Sequence, residues 1–225
     1  PLDDNLYFST GMLNNFLVPQ DDSSSFGKIL EIKNTNKKQS IKHIVKGIRN
    51  PQGLSKCGEN IFVSSHGPKG GDEINHISLL YDKTPVNFGW PIASYGTHYD
   101  GTFGENAPSY APLYQDHKKF NFKDPLLFYT PSVAPSQLIA LPADNLDCKN
   151  GIILYMATMG WKDTPGQKSI HRYELSLDEE KLIIKNKTIY NLGVRIRDIE
   201  EGENVIWFWD ETNGRLGFIE KWEII

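Results

Sequence analysis

The stretches IILYMAT at residues 152–158 and SIHRYEL at residues 169–175 decide the fold class of this chain. Both are short apolar or β-branched runs bounded by turn-forming residues, which is the pattern of β-strands. Similar runs occur at residues 5–10, 27–32, 60–65, 181–184, 205–209 and 216–220. No convincing amphipathic helix is present between them. The chain is therefore predicted to be all-β.

The strands also recur as a unit. An asparagine followed by apolar residues, a polar turn and a second apolar run is found near residues 5–32, 60–78, 151–175 and 204–220. Such repetition is typical of β-propellers, whose blades are four-stranded sheets. We predict three blades and part of a fourth in a single domain over residues 1–225. A β-sandwich is the alternative architecture, and spacing alone leaves it open.

One segment interrupts the repeat. Residues 98–124 are rich in turn formers and show no strand periodicity. Long loops within a domain often carry function. We expect this segment to be a loop excursion over one face of the domain.

Composition excludes several classes of protein. The chain has 225 residues, a net charge of -4 and 39% hydrophobic residues, which fit one folded domain. This charge gives no general field for nucleic acid or an anionic membrane. No apolar run is long enough to span a bilayer, and the first residues do not show the basic-then-apolar pattern of a signal segment.

Two cysteines, Cys57 and Cys148, both lie in turn-like sequences and show no metal-binding spacing. A disulfide between them is one possibility. The interpretation that we favour from the residues is two free thiols in turns, and the cellular compartment stays open.

An arginine pair is the first candidate for binding chemistry. In the strand-like segment VRIRD at residues 194–198, Arg195 and Arg197 are expected on one face and Val194 and Ile196 on the other. Two guanidinium groups aimed at one volume suit a ligand with several carboxylates or phosphates. The alternative, favoured by the residues alone, is an exposed strand whose arginines pair with nearby acidic residues.

A second candidate region begins at GIRNPQGL, residues 47–54. Arg49 and Asn50 precede Pro51, which disfavours helix, so both can project from a strand end into a cleft or satisfy a local turn. The loop HGPKGGDEIN, residues 66–75, exposes backbone carbonyls and adds the carboxylates of Asp72 and Glu73. These are suitable ligands for a hard cation, although a plain glycine-rich connection explains the loop equally simply.

Other residues carry less information when they are taken singly. Lys162 is expected to be a solvated lysine just past a strand end. The aromatic residues are expected in the core or between blades; they are Tyr155, Trp161, Trp207, Trp209 and Trp222.

Taken together, the segments resemble a known family. The segments at residues 47–54, 66–75, 87–91, 129–136 and 195–198 follow the order and approximate spacing of the glucose/sorbosone dehydrogenases. These are soluble quinoproteins that include aldose sugar dehydrogenases. The resemblance implies a six-bladed β-propeller that uses pyrroloquinoline quinone (PQQ) and calcium to oxidise the C1 hydroxyl of a sugar to a lactone. Electrons would pass to a soluble acceptor.

The resemblance also implies roles for particular residues. The carbonyls of Gly67 and Pro68 match those that hold the calcium contacting PQQ, and Glu73 with the carbonyl of Phe88 matches a second, structural calcium site. The residues that match cofactor contacts are Arg49, Asn50, Tyr99, Lys162, Arg195 and Arg197.

The family's general-base histidine matches no histidine of this chain and is expected upstream of Pro1. Met12, Phe88 and Gln137 also depart from the family's usual residues. We expect the remaining blades to come from a missing N-terminal part or from a partner chain, and the resemblance implies a periplasmic or secreted protein. A non-catalytic binding propeller of the same family is the alternative function.

Overall fold

The computed structural model describes residues 5–13, 15–35, 38–97, 113–143, 147–160, 164–178 and 181–221, and within this part it confirms the all-β prediction. Beside the strands it contains one 3₁₀ turn, Lys118–Phe120. The fifteen strands are β1 (Asn5–Thr10), β2 (Lys28–Thr35), β3 (Lys38–Lys46), β4 (Pro51–Cys57), β5 (Asn60–Ser65), β6 (Asp72–Ser78), β7 (Val86–Asn87), β8 (Leu127–Tyr129), β9 (Pro135–Pro142), β10 (Ile152–Thr158), β11 (Ser169–Asp178), β12 (Lys181–Asn191), β13 (Ile196–Glu201), β14 (Val205–Asp210) and β15 (Arg215–Glu220).

The chain divides into two compact units that alternate along the sequence. The first unit comprises residues 1–51 and 65–131. Its main sheet has the order β1-β2-β3-β7, antiparallel except for the parallel pair of β3 and β7. Strand β6 pairs antiparallel with β8, so that Asp72 lies opposite Tyr129. Arg49 follows β3, Glu73 lies on β6 and Phe88 directly follows β7.

The second unit comprises residues 52–64 and 132–225. It holds the hydrogen-bonded neighbours β4 and β5, the sheet β12-β11-β10-β9 and the sheet β13-β14-β15. Strand β10 is buried along its whole length. Alternate residues of β10, Tyr155 among them, pack in one cluster with Ile199 of β13 and Ile206 of β14. The hydroxyl of Tyr155 donates to the carbonyl of Lys221 at 2.9 Å.

The number of sheets agrees with the predicted blades. Among the described residues the strands fall into three sheets of four strands and one of three, as expected for three blades and part of a fourth. The prediction that the aromatic residues lie in packed interiors is confirmed for Tyr155 and wrong for two tryptophans. Trp207 and Trp209 are 38% and 42% exposed because they lie on the outer face of β14, opposite Ile206.

The prediction of two free thiols is also wrong. Cys57 and Cys148 form a disulfide with their Cα atoms 5.6 Å apart. Cys57 ends β4, and the fold brings the turn that follows it against the turn at Cys148. A Cβ atom at Gly58 would lie 3.3 Å from the Cβ of Cys148, so the glycine leaves room for the bridge.

The predicted loop excursion is described only in part. Residues 98–112, which include Tyr99, lie outside the described residues, and residues 113–124 form irregular backbone with the 3₁₀ turn. Its position over a cofactor face therefore stays a prediction. No helix in the described part of the chain has the length and apolar character needed to cross a membrane.

Candidate functional site

The first unit joins two segments that are far apart in sequence. Gly47 has a φ of 78°, and a Cβ there would lie 2.4 Å from the Asn87 side chain, so only glycine allows this close approach. The amides of Phe88 and Trp90 donate to the carbonyls of Lys46 and Gly47, each at 3.0 Å. The segment after β3 is thereby held against residues 87–90.

Arg49 is held by partners from both segments. Its guanidinium carbon lies 5.5 Å from the centre of the Trp90 ring, which is cation–π distance. Its Nη1 also donates to the carbonyl of His66 at 3.3 Å. The indole of Trp90 is itself fixed, because Nε1 donates to Sδ of Met12 at 3.0 Å. The arginine side chain therefore has a defined direction.

Asn50 anchors the loop that follows β5. Its carbonyl accepts from the amide of His66 at 2.9 Å, and its side-chain Nδ2 lies 3.5 Å from Nδ1 of His66. The amide of Asn50 donates to Oγ of Ser65. These contacts give His66 a structural role in holding the start of the loop.

A cleft lies beside these two residues. It has a volume of about 310 Å³ and is lined by Gly11, Met12, Leu13, Arg49 and Asn50. This volume is at the lower end of the range for small-molecule sites. The cleft can thus receive a small acidic ligand, for which Arg49 supplies positive charge and Asn50 hydrogen bonds.

The glycine-rich loop is tightly folded. Gly67 donates its amide to Oδ1 of Asp72 at 3.0 Å, and Gly71 donates to the carbonyl of Tyr129 at 2.8 Å. A Cβ at Gly67 would lie 2.2 Å from the carbonyl oxygen of Gly71. Gly67 lines a small cavity beside the loop, whereas Pro68 is buried and is not among the residues that line it.

That small cavity gathers several predicted residues. Its volume of about 10 Å³ is close to what a single water-sized particle needs. Arg49, Gly67, Glu73 and Phe88, all predicted as site residues, line it together. Residues of both predicted calcium sites therefore line one cavity, and only Pro68 is missing from its lining.

Asn75 also lines this cavity, although the sequence did not single it out. It is only 2% exposed, and its Nδ2 donates to Oε2 of Glu73 at 2.9 Å. Its Oδ1 is buried and has no hydrogen-bond partner within the described part of the chain. Strand alternation from Glu73 is the signal that could have found it, because residues two apart share a face.

Glu73 has an unusual charge environment. Burial is the main cause that raises its pKa to about 7; the hydrogen bond from Asn75 acts in the opposite direction, and the carboxylates of Asp72 and Asp124 add smaller upward contributions. A carboxyl group in this state gains from a nearby cation. No cluster of three or more His, Cys, Asp or Glu side chains suited to a metal occurs among the described residues. A cation here would need amide and carbonyl oxygens as well.

The arginine pair lies in the second unit. Arg195 precedes β13 and Arg197 lies at its bulge, and both reach the carboxylate of Glu211, at 3.1 and 2.7 Å. The hydrogen bond from Arg197 is the main cause that lowers the pKa of Glu211. Arg195 also donates to the carbonyl of Gly160 at 2.8 Å. Two guanidinium groups on one carboxylate leave a positive surplus that suits an anion. Lys162 lies outside the described residues.

Comparison with known proteins gives a consistent picture. The family model described as glucose / sorbosone dehydrogenase matches residues 1–218. An uncharacterized protein of Synechocystis sp. is 30% identical over 179 residues, which cover 78% of this chain and 38% of that protein. The aldose sugar dehydrogenase YliI of Escherichia coli is 26% identical over 179 residues, which cover 76% of this chain and 41% of that protein. The chain thus spans about two fifths of these relatives, at 38% and 41%.

Two solved structures share the fold. The apo-form of the soluble aldose sugar dehydrogenase from Escherichia coli has a TM-score of 0.64 at 22% identity, covering 93% of this chain and 58% of that one. A glucose dehydrogenase has a TM-score of 0.67 at 24% identity, covering 94% of this chain and 60% of that one. The β-propeller prediction agrees with both.

Proposed function

Because the chain belongs to the glucose/sorbosone dehydrogenase family, we propose that it forms the cofactor-binding part of a PQQ- and calcium-dependent aldose sugar dehydrogenase. The reaction is oxidation of the sugar C1 hydroxyl to a lactone by hydride transfer to PQQ, with a soluble electron acceptor. The substrate class follows the aldose and glucose dehydrogenases that the chain resembles.

One observation carries the proposal. Arg49 lines both the cleft of about 310 Å³ and the small cavity that holds Glu73 and Asn75. An anion site and a cation site therefore adjoin at one side chain. PQQ carries three carboxylates, which suit the anion site, and Gly67, which is expected to hold the calcium beside PQQ, also lines the small cavity.

When bound, PQQ would supply the hydride acceptor, and calcium would polarise its quinone carbonyl. The residues of this chain have simpler tasks. Arg49, held by Trp90 and His66, binds a carboxylate in a fixed direction. Asn50 holds the loop of Gly67 through its contacts with His66. Glu73 and the carbonyl of Phe88 would hold a second, structural calcium.

The remaining assignments rest on the family resemblance. Tyr99, Lys162, Arg195 and Arg197 are proposed as further cofactor contacts, and the carbonyls of Gly67 and Pro68 as ligands of the calcium beside PQQ. Arg195 and Arg197 both donate hydrogen bonds to the carboxylate of Glu211. Since both guanidinium groups reach this one carboxylate, an anion-binding role for them is supported.

The disulfide supports a compartment. Stable disulfides are typical of proteins in oxidising surroundings, and Cys57 and Cys148 are bonded to each other. We therefore propose a periplasmic or secreted protein, as in the family resemblance.

Reconstitution tests the function. The full-length protein, including the part upstream of Pro1 that is expected to carry the general-base histidine, is titrated with PQQ in the presence of calcium, and binding is followed by the absorbance of PQQ. We expect saturable binding, followed by aldose-dependent reduction of a dye acceptor. Binding of PQQ without dye reduction by any aldose would indicate a non-catalytic propeller, and absence of PQQ binding would contradict the proposal.

The Arg49→Gln variant tests the site itself. A hydrogen bond to a charged group contributes about 1.5–3 kcal/mol to the free energy of binding. Its loss should therefore raise the Kd for PQQ by about 10- to 100-fold. Lys42→Gln is the matched control, because Lys42 is exposed on β3 of the same unit. Equal weakening in both variants would indicate a general charge effect.

A further inference from the structure

The second oxygen-bearing side chain of the small cavity points to a ligand that the family resemblance does not assign. Glu73 and Asn75 are two residues apart on β6 and share a face of the strand, while Ile74 between them is fully buried in the apolar core. Both side chains line the cavity, together with Phe88. Carboxylate, amide and backbone oxygens are thus available at one place.

The orientation of the Asn75 amide is set by its neighbour. Nδ2 donates to Oε2 of Glu73 at 2.9 Å, which places the amide oxygen on the other branch of the side chain. That oxygen is buried and accepts no hydrogen bond from any described residue. A buried amide oxygen without a donor is costly, so native proteins retain one where it serves a ligand, an ion or a water molecule.

Arg49 also lines the cavity, so one guanidinium is set against the carboxylates of Glu73, Asp72 and Asp124, and the net charge of these groups favours a cation over a water molecule. The negative charges of Asp72 and Asp124 act on the carboxyl group of Glu73. Asp72 is 2% exposed, and its Oδ1 accepts from the amide of Gly67 at 3.0 Å. Hard divalent cations of the calcium class take carboxylate, amide and carbonyl oxygens, and the absence of a three-carboxylate cluster among the described residues is compatible with such a mixed set.

We propose that Oδ1 of Asn75 is a direct ligand of a calcium-class cation in this cavity, beside the carboxylate of Glu73. The inference rests on the calcium part of the proposed function and adds a ligand to it. The hydrogen bond from Nδ2 to Glu73 gives Asn75 a second task, which is to hold the carboxylate in place.

Calcium alone, without PQQ or sugar, is the probe. Binding is measured by calorimetry and by terbium luminescence with calcium competition, since Trp90 lines the cavity and can sensitise a bound lanthanide. Asn75→Leu removes the oxygen and should raise the Kd for calcium at least about tenfold. Asn75→Asp keeps an oxygen at that position and adds charge, so it should bind calcium more tightly than the native protein.

Asn186→Leu is the matched control. Asn186 is an exposed asparagine on β12 in the other unit, and the change should leave the Kd for calcium unaltered. Thermal unfolding without calcium provides the structural readout. If Asn75 had only a packing role, Asn75→Leu would lower the melting temperature and leave the calcium-induced rise intact.

The outcomes separate this inference from the proposed function. Native calcium affinity in Asn75→Leu overturns the inference and leaves PQQ binding and sugar oxidation to be judged on their own. If Asn75→Leu does not fold, Asn75→Asp decides, and an unchanged Kd there overturns the inference. If the native protein binds no calcium, the cavity holds water and the inference is overturned. Failure of dye reduction with calcium binding intact would affect only the proposed enzyme activity.

Discussion

Reduction of the Cys57–Cys148 disulfide is expected to destabilise the second unit substantially. The bridge closes a loop with a sequence separation of 91 residues. In the chain-entropy description, a bridge that closes a loop of this length lowers the entropy of the unfolded chain. This raises the free energy of the unfolded state by about 4.6 kcal/mol at 25 °C. Engineered and natural bridges often deliver less than this limit, so we expect a loss of about 2–5 kcal/mol in the free energy of unfolding.

The assay is urea unfolding with and without a thiol reductant, followed by tryptophan fluorescence. Four of the five tryptophans, Trp161, Trp207, Trp209 and Trp222, belong to the second unit and Trp90 to the first, so the fluorescence reports mainly on the second unit. The reductant should lower the midpoint of the fluorescence transition. The Cys57→Ala/Cys148→Ala variant is the control, because it should start from the lower midpoint and not respond to reductant. A native protein whose unfolding free energy changes by less than about 0.5 kcal/mol on verified reduction would refute the entropy argument.

Three further predictions follow from single contacts. Burial lowers the pKa of His171 to about 4. The free energy of unfolding should therefore fall by up to about 3 kcal/mol as pH drops from about 6.5 towards 4, because the unfolded chain binds a proton that the folded state does not. The His171→Asn variant should flatten this decline in urea titrations at stepped pH. Tyr155→Phe leaves the Lys221 carbonyl without its donor and should cost about 1–2 kcal/mol in the same assay; an unchanged midpoint would show that water replaces the hydroxyl. Gly67→Ala places a Cβ 2.2 Å from the Gly71 carbonyl and should lower stability by about 1–3 kcal/mol while abolishing the calcium-induced rise in melting temperature, which a thermal scan with and without calcium checks.

Strands with apolar runs could be predicted well from the sequence. The bounds of β1, β5 and β10 agree with the runs at residues 5–10, 60–65 and 152–158. In such strands hydrophobic burial and strand propensity favour the same structure, so local pattern is sufficient.

Strand β6 shows why the rest could not be predicted. Its residues Asp72, Asn75, His76 and Ser78 are polar and nevertheless buried, so no hydrophobic alternation marks it as a strand. Ile74 and Ile77 pack in the apolar core, whereas Glu73 and Asn75 line the small cavity. Functional sites are where local pattern and tertiary structure are expected to disagree.

Contacts between residues that are far apart in the sequence also could not be predicted. The sharing of Glu211 by Arg195 and Arg197 depends on the pairing of β13 with β14, and the disulfide depends on the approach of two turns 91 residues apart. Neither distance is encoded in local periodicity. The family resemblance nevertheless identified Arg49, Gly67, Glu73 and Phe88, which the structure places around one cavity.

The alternation of the two units along the chain has a consequence for biosynthesis. The ribosome delivers β4 and β5 of the second unit before residues 65–131 of the first and residues 132–225 of the second. The disulfide can close only after Cys148 has emerged, and the covalent ring then includes the whole segment that carries Gly67, Glu73 and Asn75. A single protease cut between residues 58 and 147 would consequently leave two fragments that stay joined until they are reduced.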